Sequence, residues 1–273
     1  MKLWLAPLEG VSDCAFRTLC HNHGADMTFT PMLRADALVR KNNATVRLLD
    51  INSKAPTTIQ LLATKPETLK AFVQQFPDYN MDAAGFNLNC GCPSPDVIRE
   101  GGGAALMKRT KRLNELLDVL RKLDKPVSIK MRLGLNVYEK EKKVYLNTIK
   151  EVNADYFIVH ARHARQTSDE PADRSVYQEC IDTGKHIIPN GDITSKDDIE
   201  HFKLLNIQEV MIGRAAVKNP AIFNFLNGQR PLGVAEMQAE YTKLAQKYTS
   251  LSKFRDTVLK YIGKDIHSSK WMV

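Results

Sequence analysis

Short apolar runs rich in β-branched and aromatic residues recur along the chain: LWLAP (3–7), MTFTP (27–31), TTIQLL (57–62), GFNLNC (85–90), PVSIKM (126–131), YFIVHA (156–161), HIIPNG (186–191) and EVMIGR (209–214). Between them, apolar residues return every three or four positions, as in PETLKAFVQQF (66–76) and LNELLDVLRKL (113–123). That is the spacing of one helix face. The run centres, at 5, 29, 59, 88, 128, 157, 188 and 211, are 23 to 40 residues apart. Eight strands alternating with helices at this interval predict a (β/α)8 TIM barrel. A doubly wound open sheet is the alternative, but no GxGxxG follows the first run. Beyond the eighth run, NGQRPLG (227–233) reads as a linker. The pattern from Val234 onward is helical, with seven Lys and Arg against four acids. The expected organisation is a barrel over 1–230 and a short basic helical appendage over 231–273.

Polar residues sit at the C-terminal ends of most runs: Gln60, Asn87 and Asn89, Lys130, His160, Asn190 and Arg214. A single lysine at a strand end is ordinarily a surface lysine. Six runs repeating the arrangement place these groups around one mouth, where barrel active sites lie.

No apolar run approaches the ~18 residues of a membrane span. The opening MKLWLAPLEG is too short in its apolar part for a secretory leader. The expected compartment is the cytoplasm, and the expected state a monomer. The net charge of +8 suits a phosphate-rich partner, although a solvated basic surface has the same composition. Five scattered cysteines read as free thiols in a reducing compartment. Cys90 and Cys92 enclose only Gly91, and no second pair accompanies them, so a metal site is not expected. Two buried thiols, or one thiol placed for chemistry, remain open on spacing alone.

The last two runs end in NGDI (190–193) and IGR (212–214). Loops in these positions of a barrel hold phosphate through backbone N–H groups. Gly191 and Gly213 permit close backbone approach, and Arg214 offers a two-pronged contact. A phosphate-bearing cofactor is the reading the pair favours. Lys130 could stabilise negative charge on such a ligand, and Gln60 could bond the edge of a planar ring.

LAPLEGVSD (5–13), NLNCGCPSP (87–95), EGGGAALM (100–107), SIKMRLG (128–134), PNGDI (189–193) and VMIGRAAVKNP (210–220), in this order, resemble the tRNA-dihydrouridine synthases. The resemblance runs from about residue 3 to about residue 225. It implies a barrel that carries FMN and uses NADPH to reduce a uridine of tRNA. It places Pro7, Leu8, Glu9, Gln60, Lys130, His160, Asn190, Gly191, Asp192, Gly213 and Arg214 around FMN. It makes Cys92 the proton donor and puts Asn89 near the uracil; Cys90 has no role in it. The chain departs from the resemblance at Pro31, Leu135 and His163, which leaves the flavin residues untouched. The C-terminal segment is shorter than the helical domain the resemblance implies: either it is a minimal version or the chain is shortened. LNCGCPS with GGGA leans toward the branch acting at position 16 of the D-loop. The choice of NADPH over NADH is not legible.

The chemistry agrees with that assignment. Reducing the C5–C6 bond of uracil takes a hydride at C6 and a proton at C5. The acid must hold its proton at neutral pH yet release it, which a thiol of pKa ~8.5 does and an ordinary aspartate does not. The base must also leave its stack. The basic loops HARHAR (160–165) and RADALVRK (34–41) offer Arg34, Arg162 and Arg165 to the RNA, with Arg40, Lys41 and His163 beside them. The rival enzyme reading is a flavin barrel acting on a free dihydroorotate or dihydropyrimidine. The non-enzymatic rival is an RNA-binding barrel, against which Cys92, Lys130 and the phosphate pair argue.

Overall fold

The computed structural model describes residues 1–51, 54–230 and 232–264. Nine strand segments form one parallel sheet: β1 (Lys2–Leu5), β2 (Thr28–Phe29), β3 (Leu33–Arg34), β4 (Thr57–Leu62), β5 (Gly85–Cys90), β6 (Val127–Met131), β7 (Phe157–His160), β8 (Ile187–Asn190) and β9 (Glu209–Ile212). Neighbours run β1-β9-β8-β7-β6-β5-β4-β2, with β3 also on β4. The Leu5 N–H donates to Met27 O at 2.8 Å and the Asp26 N–H to Leu3 O at 2.8 Å. These bonds and the Trp4–Met27 bridge close the sheet into the expected TIM barrel.

The expected second strand is two segments rather than one. Register pairing with β4 covers Thr28 and Phe29 and resumes at Leu33 and Arg34, with Pro31 between the two segments. Across the gap the Thr30 hydroxyl accepts the Gln60 N–H at 3.0 Å. β4 and β6 are buried along their whole length. The barrel interior covers one face of each and helices the other, so their polar members Gln60, Ser128 and Lys130 are buried as well.

The helix Pro66–Gln75 begins on a proline whose missing N–H costs nothing at that position. It buries Leu69 and Phe72, and Phe72 meets Phe86 of β5 edge-on at 6.2 Å. Thr110–Leu120 buries the leucine stripe Leu113, Leu116, Leu117 and Leu120. The C-terminal part forms two helices, Val234–Lys247 and Ser252–Tyr261. The first buries Met237 and Tyr241 and, through Glu240, takes hydrogen bonds from Asn22 (2.9 Å) and His23 (2.8 Å) on the barrel. Residues 265–273 of the expected helical appendage lie outside the described residues.

β8 also carries a proline, yet stays in register with β7 through Asn190. Pro189 donates no ladder bond, and the buried Tyr177 hydroxyl takes up the local polar groups. It donates to Asn190 O at 2.8 Å, lies 3.2 Å from Val159 O, and accepts the Asn190 N–H at 3.2 Å. Tyr177→Phe should therefore lower the unfolding free energy by about 1–3 kcal/mol, because a buried N–H loses its partner. Urea unfolding with an unchanged m-value checks this.

Candidate active site

Strand register sets the floor of the mouth. Gln60, Asn87 and Ser128 are ladder neighbours across β4, β5 and β6. Gln60 Nε2 donates to Asn87 Oδ1 (2.7 Å), and Asn87 Nδ2 donates to Ser128 Oγ (2.8 Å). One step higher, Asn89 Nδ2 donates to Gln60 Oε1 (3.0 Å). All are buried or half-buried, and each bond fixes the next amide's orientation.

Asn89 is also the seat of Cys92. Its Oδ1 accepts the backbone N–H groups of Gly91 (3.1 Å) and Cys92 (2.8 Å). From the other side the Ala104 N–H donates to Cys92 O at 3.1 Å. Gly103 has φ +54°, and a Cβ there would fall 2.5 Å from Cys92 O. Only glycine lets the EGGG stretch press this closely on the cysteine.

Cys92 is half-buried. Burial pushes its thiol up, with the Glu9 carboxylate adding; a hydrogen bond at Ser94 and the charges of Arg132 and Arg34 pull the other way, and burial wins. The thiol is thus protonated at neutral pH. Cys90 is fully buried in the core, its thiol pushed up to about 12 by burial.

The opposite wall is cationic. Lys130 is buried and among the described residues no carboxylate pairs with it; burial, with Arg132 adding, lowers its ammonium from 10.5 to about 7. Arg132, also buried, donates to His163 O at 3.1 Å. His160 is buried, and burial with the surrounding cations holds its imidazole well below the usual range, hence neutral. Asp192, with φ +52°, is the carboxylate among them. It accepts from Arg162 Nη2 (2.5 Å), Arg214 Nη2 (2.9 Å) and the Ala172 N–H (3.0 Å). Burial raises Asp192, but the Arg162 bond and its other donors outweigh that and hold it below the ordinary carboxylate value. Among the described residues, His160 Nδ1 and Asn190 Oδ1 are buried polar atoms of this wall with no hydrogen-bond partner. Gly191, at φ +128°, lies so close to His160 that a Cβ would come within 3.1 Å of the ring.

The structure thus gathers Gln60, Lys130, His160, Asn190, Gly191, Asp192, Gly213 and Arg214 with Asn89 and Cys92 at one end of the barrel. Pro7 and Leu8 are buried after β1, and Glu9 is exposed at the rim. Arg162 is a correction to the expected surface contact. It is 2% exposed, and its guanidinium is spent on Asp192, His160 and the carbonyls of Ser168 and Glu170. Arg165 is exposed, as are Arg40 and Lys41, whereas His163 is half-buried. Arg34 is 41% exposed and paired with Glu100 (2.7 Å) and Asp36 (3.2 Å). With Arg40 and Lys65 it lines a groove of about 560 Å3 beside the Cys92 segment. Sequence reasoning passes over Arg132 and Lys65. Arg132 is within its reach, because it lies two residues from Lys130, just past the end of β6. Among the described residues no cluster of three or more His, Cys, Asp or Glu could hold a metal ion.

Fold and mouth together give a (β/α)8 barrel with a cationic wall and a protonated, half-buried thiol at one end. A family model described as Dihydrouridine synthase (Dus) matches residues 4–269. A probable tRNA-dihydrouridine synthase of Helicobacter pylori strain J99 is 31% identical over 230 residues, covering 81% of this chain and 68% of its own length. The tRNA-dihydrouridine(20a/20b) synthase [NAD(P)+] of Saccharomyces cerevisiae is 27% identical, covering 80% and 60%. Tetrahydro-NAD-bound morphinone reductase superposes with a TM-score of 0.59 at 9% identity over 88% of this chain and 90% of its own, a likeness of fold alone. The chain belongs to the dihydrouridine synthase family, whose members are oxidoreductases.

The unpaired lysine has a thermodynamic consequence. Between pH 7 and 10.5 the unfolded chain keeps the Lys130 proton and the folded one does not, so parental stability rises across that window. In ligand-free protein, Lys130→Met should raise the unfolding free energy by about 1–4 kcal/mol near pH 7. The gain should shrink as the pH approaches 10.5. Urea unfolding at several pH values measures this.

Proposed function

We propose that this chain reduces a D-loop uridine of tRNA to 5,6-dihydrouridine, with FMN at the barrel mouth, NADPH as reductant and Cys92 as the acid. The observation that carries the reading is the seat of Cys92, a protonated, half-buried thiol held by Asn89 and Gly103 at the rim of a cationic mouth. The names of the relatives support tRNA as substrate, and NAD(P)+ stands in that of the yeast protein.

The residues fit FMN. Arg214, clamped by Asp192, and the backbone at Gly191 and Gly213 would hold the phosphate. His160 Nδ1–H and Asn190 Oδ1 are buried groups that a ligand would satisfy. Lys130 and Gln60 would face the ring, with Pro7, Leu8 and Glu9 at its rim. When bound and reduced, FMN supplies the hydride delivered to C6 of the uracil. Lys130, whose ammonium burial lowers to about 7, would be held protonated by negative charge arriving beside it. Cys92 Sγ gives its proton to C5, and its seat keeps the S–H at the rim rather than in the core. Asn89 has one N–H left for the base after its bond to Gln60.

Outside the mouth, the groove at Arg34, Arg40 and Lys65, exposed Arg165, and the basic segment from 231 onward would follow the RNA backbone. We place the enzyme in the cytoplasm; among the described residues no helix is long and apolar enough to cross a membrane.

Two cysteine variants test the chemistry. Cys92→Ala should keep FMN and be reduced by NADPH at the parental rate. Its pre-reduced form should then be reoxidised by unmodified tRNA about 10²–10⁴-fold more slowly, because no positioned acid remains. Cys90→Ala should reoxidise near the parental rate. Anaerobic rapid mixing reads both, and a slow Cys90→Ala with a fast Cys92→Ala would reverse the assignment.

For RNA, Arg40→Glu with Arg165→Glu should weaken tRNA binding while flavin content stays unchanged. The slope of log K against log salt should flatten by about 0.7–0.9 for each phosphate that the variant no longer neutralises.

A further inference from the structure

We propose that Arg162 is a positioning residue for His160. Its guanidinium pins the imidazole as the Nδ1–H tautomer, so that this N–H donates to an acceptor atom of the anionic cofactor at the mouth. The proposal rests on the reading that FMN binds there.

A guanidinium can only donate: arginine has five N–H donors and no acceptor. Arg162 Nη1 lies 3.1 Å from His160 Nε2, so Nε2 must be the acceptor and the ring proton sits on Nδ1. An imidazolium would set two donors against each other.

Arg162 cannot swing away from this contact. Nε donates to Glu170 O at 2.8 Å, and Nη2 donates to Asp192 Oδ2 at 2.5 Å, with Ser168 O at 3.4 Å. Asp192 is itself held by Arg214 and the Ala172 N–H. The series Arg214, Asp192, Arg162, His160 therefore carries orientation from the end of β9 to the end of β7.

The ring is restrained on the same edge by Gly191, whose Cβ position lies 3.1 Å from His160 Cδ2. Cδ2 and Nε2 thus face Gly191 and Arg162, and Nδ1 is on the opposite edge. There it is buried with no hydrogen-bond partner. A buried N–H left unpaired is costly, and such orphans in native proteins mark a missing partner. With Lys130, Arg132 and Arg214 nearby, the partner that fits is an acceptor atom on an anionic ligand.

Nitrogen-15 NMR of histidine-labelled full-length protein tests the pin directly, with His160→Gln to assign the signal. The parent should show Nδ1 protonated and Nε2 bare, without titration between about pH 5.5 and 8.5. A parent with Nε2 protonated, or with a ring that titrates in that range, overturns the proposal. Arg162→Leu should lose the Nδ1–H signature and bind FMN about tenfold more weakly by fluorescence quenching, the worth of one buried hydrogen bond. Arg162→Lys, which still donates to Nε2, should recover much of both. An Arg162→Leu protein that loses the signature but binds FMN within about twofold of the parent also overturns the positioning role. A parent that shows the tautomer but takes up no FMN contradicts the flavin reading and leaves the Arg162–His160 pin standing. The parental tautomer is read without any Arg162 variant, so the test survives an Arg162 variant that fails to fold.

Discussion

One carboxylate, Asp192, organises the cationic half of the mouth. Arg162 is buried with its charge and Arg214 is partly so, and both end on Asp192. Taking one such partner from a buried charge typically costs several kcal/mol. The same residue adopts a left-handed backbone conformation at the end of β8 and so brings the β7, β8 and β9 loops together. Lys130 and Arg132 add charge that this carboxylate does not neutralise. Among the described residues the buried cations of this wall outnumber its carboxylate, an excess that favours an entering anion.

That excess also bears on the thiol. Arg132 and Arg34 favour a thiolate at Cys92, and burial opposes them. A thiolate would be a nucleophile and no acid; burial keeps the proton available. Asn89 links the two halves of the site. It fixes the Cys92 backbone with one end of its amide and joins the buried Gln60–Asn87–Ser128 chain with the other. The cationic wall and the thiol thus stand on one sheet, whose register sets their separation.

Much of this is legible in the residues. TTIQLL and GFNLNC match β4 and β5 end to end, because each is a short run dominated by β-branched, aromatic and aliphatic residues, with Pro56 before the first and Gly91 after the second. The polar strand ends do converge, since a parallel barrel allows nothing else. The second strand reads as whole because Pro31 marks an end in sequence, whereas in the fold it marks a gap with pairing resumed beyond it. Arg162 reads as an RNA contact because HARHAR looks like a solvated basic loop. Its burial depends on Asp192, thirty residues away, and on two backbone carbonyls that no motif records. The hold of Asn89 on Cys92 is hidden for the same reason: a side chain that caps backbone N–H groups looks like any other asparagine.

The central claim is that this arrangement adds two hydrogens to a uridine in tRNA. The most direct measurement is mass-spectrometric mapping of an unmodified tRNA after anaerobic incubation with the full-length protein, FMN and NADPH. One uridine should gain two hydrogens with the parent and stay unreduced with Cys92→Ala. A tRNA with every uridine unchanged, in the presence of protein whose bound flavin NADPH has reduced, would contradict the claim.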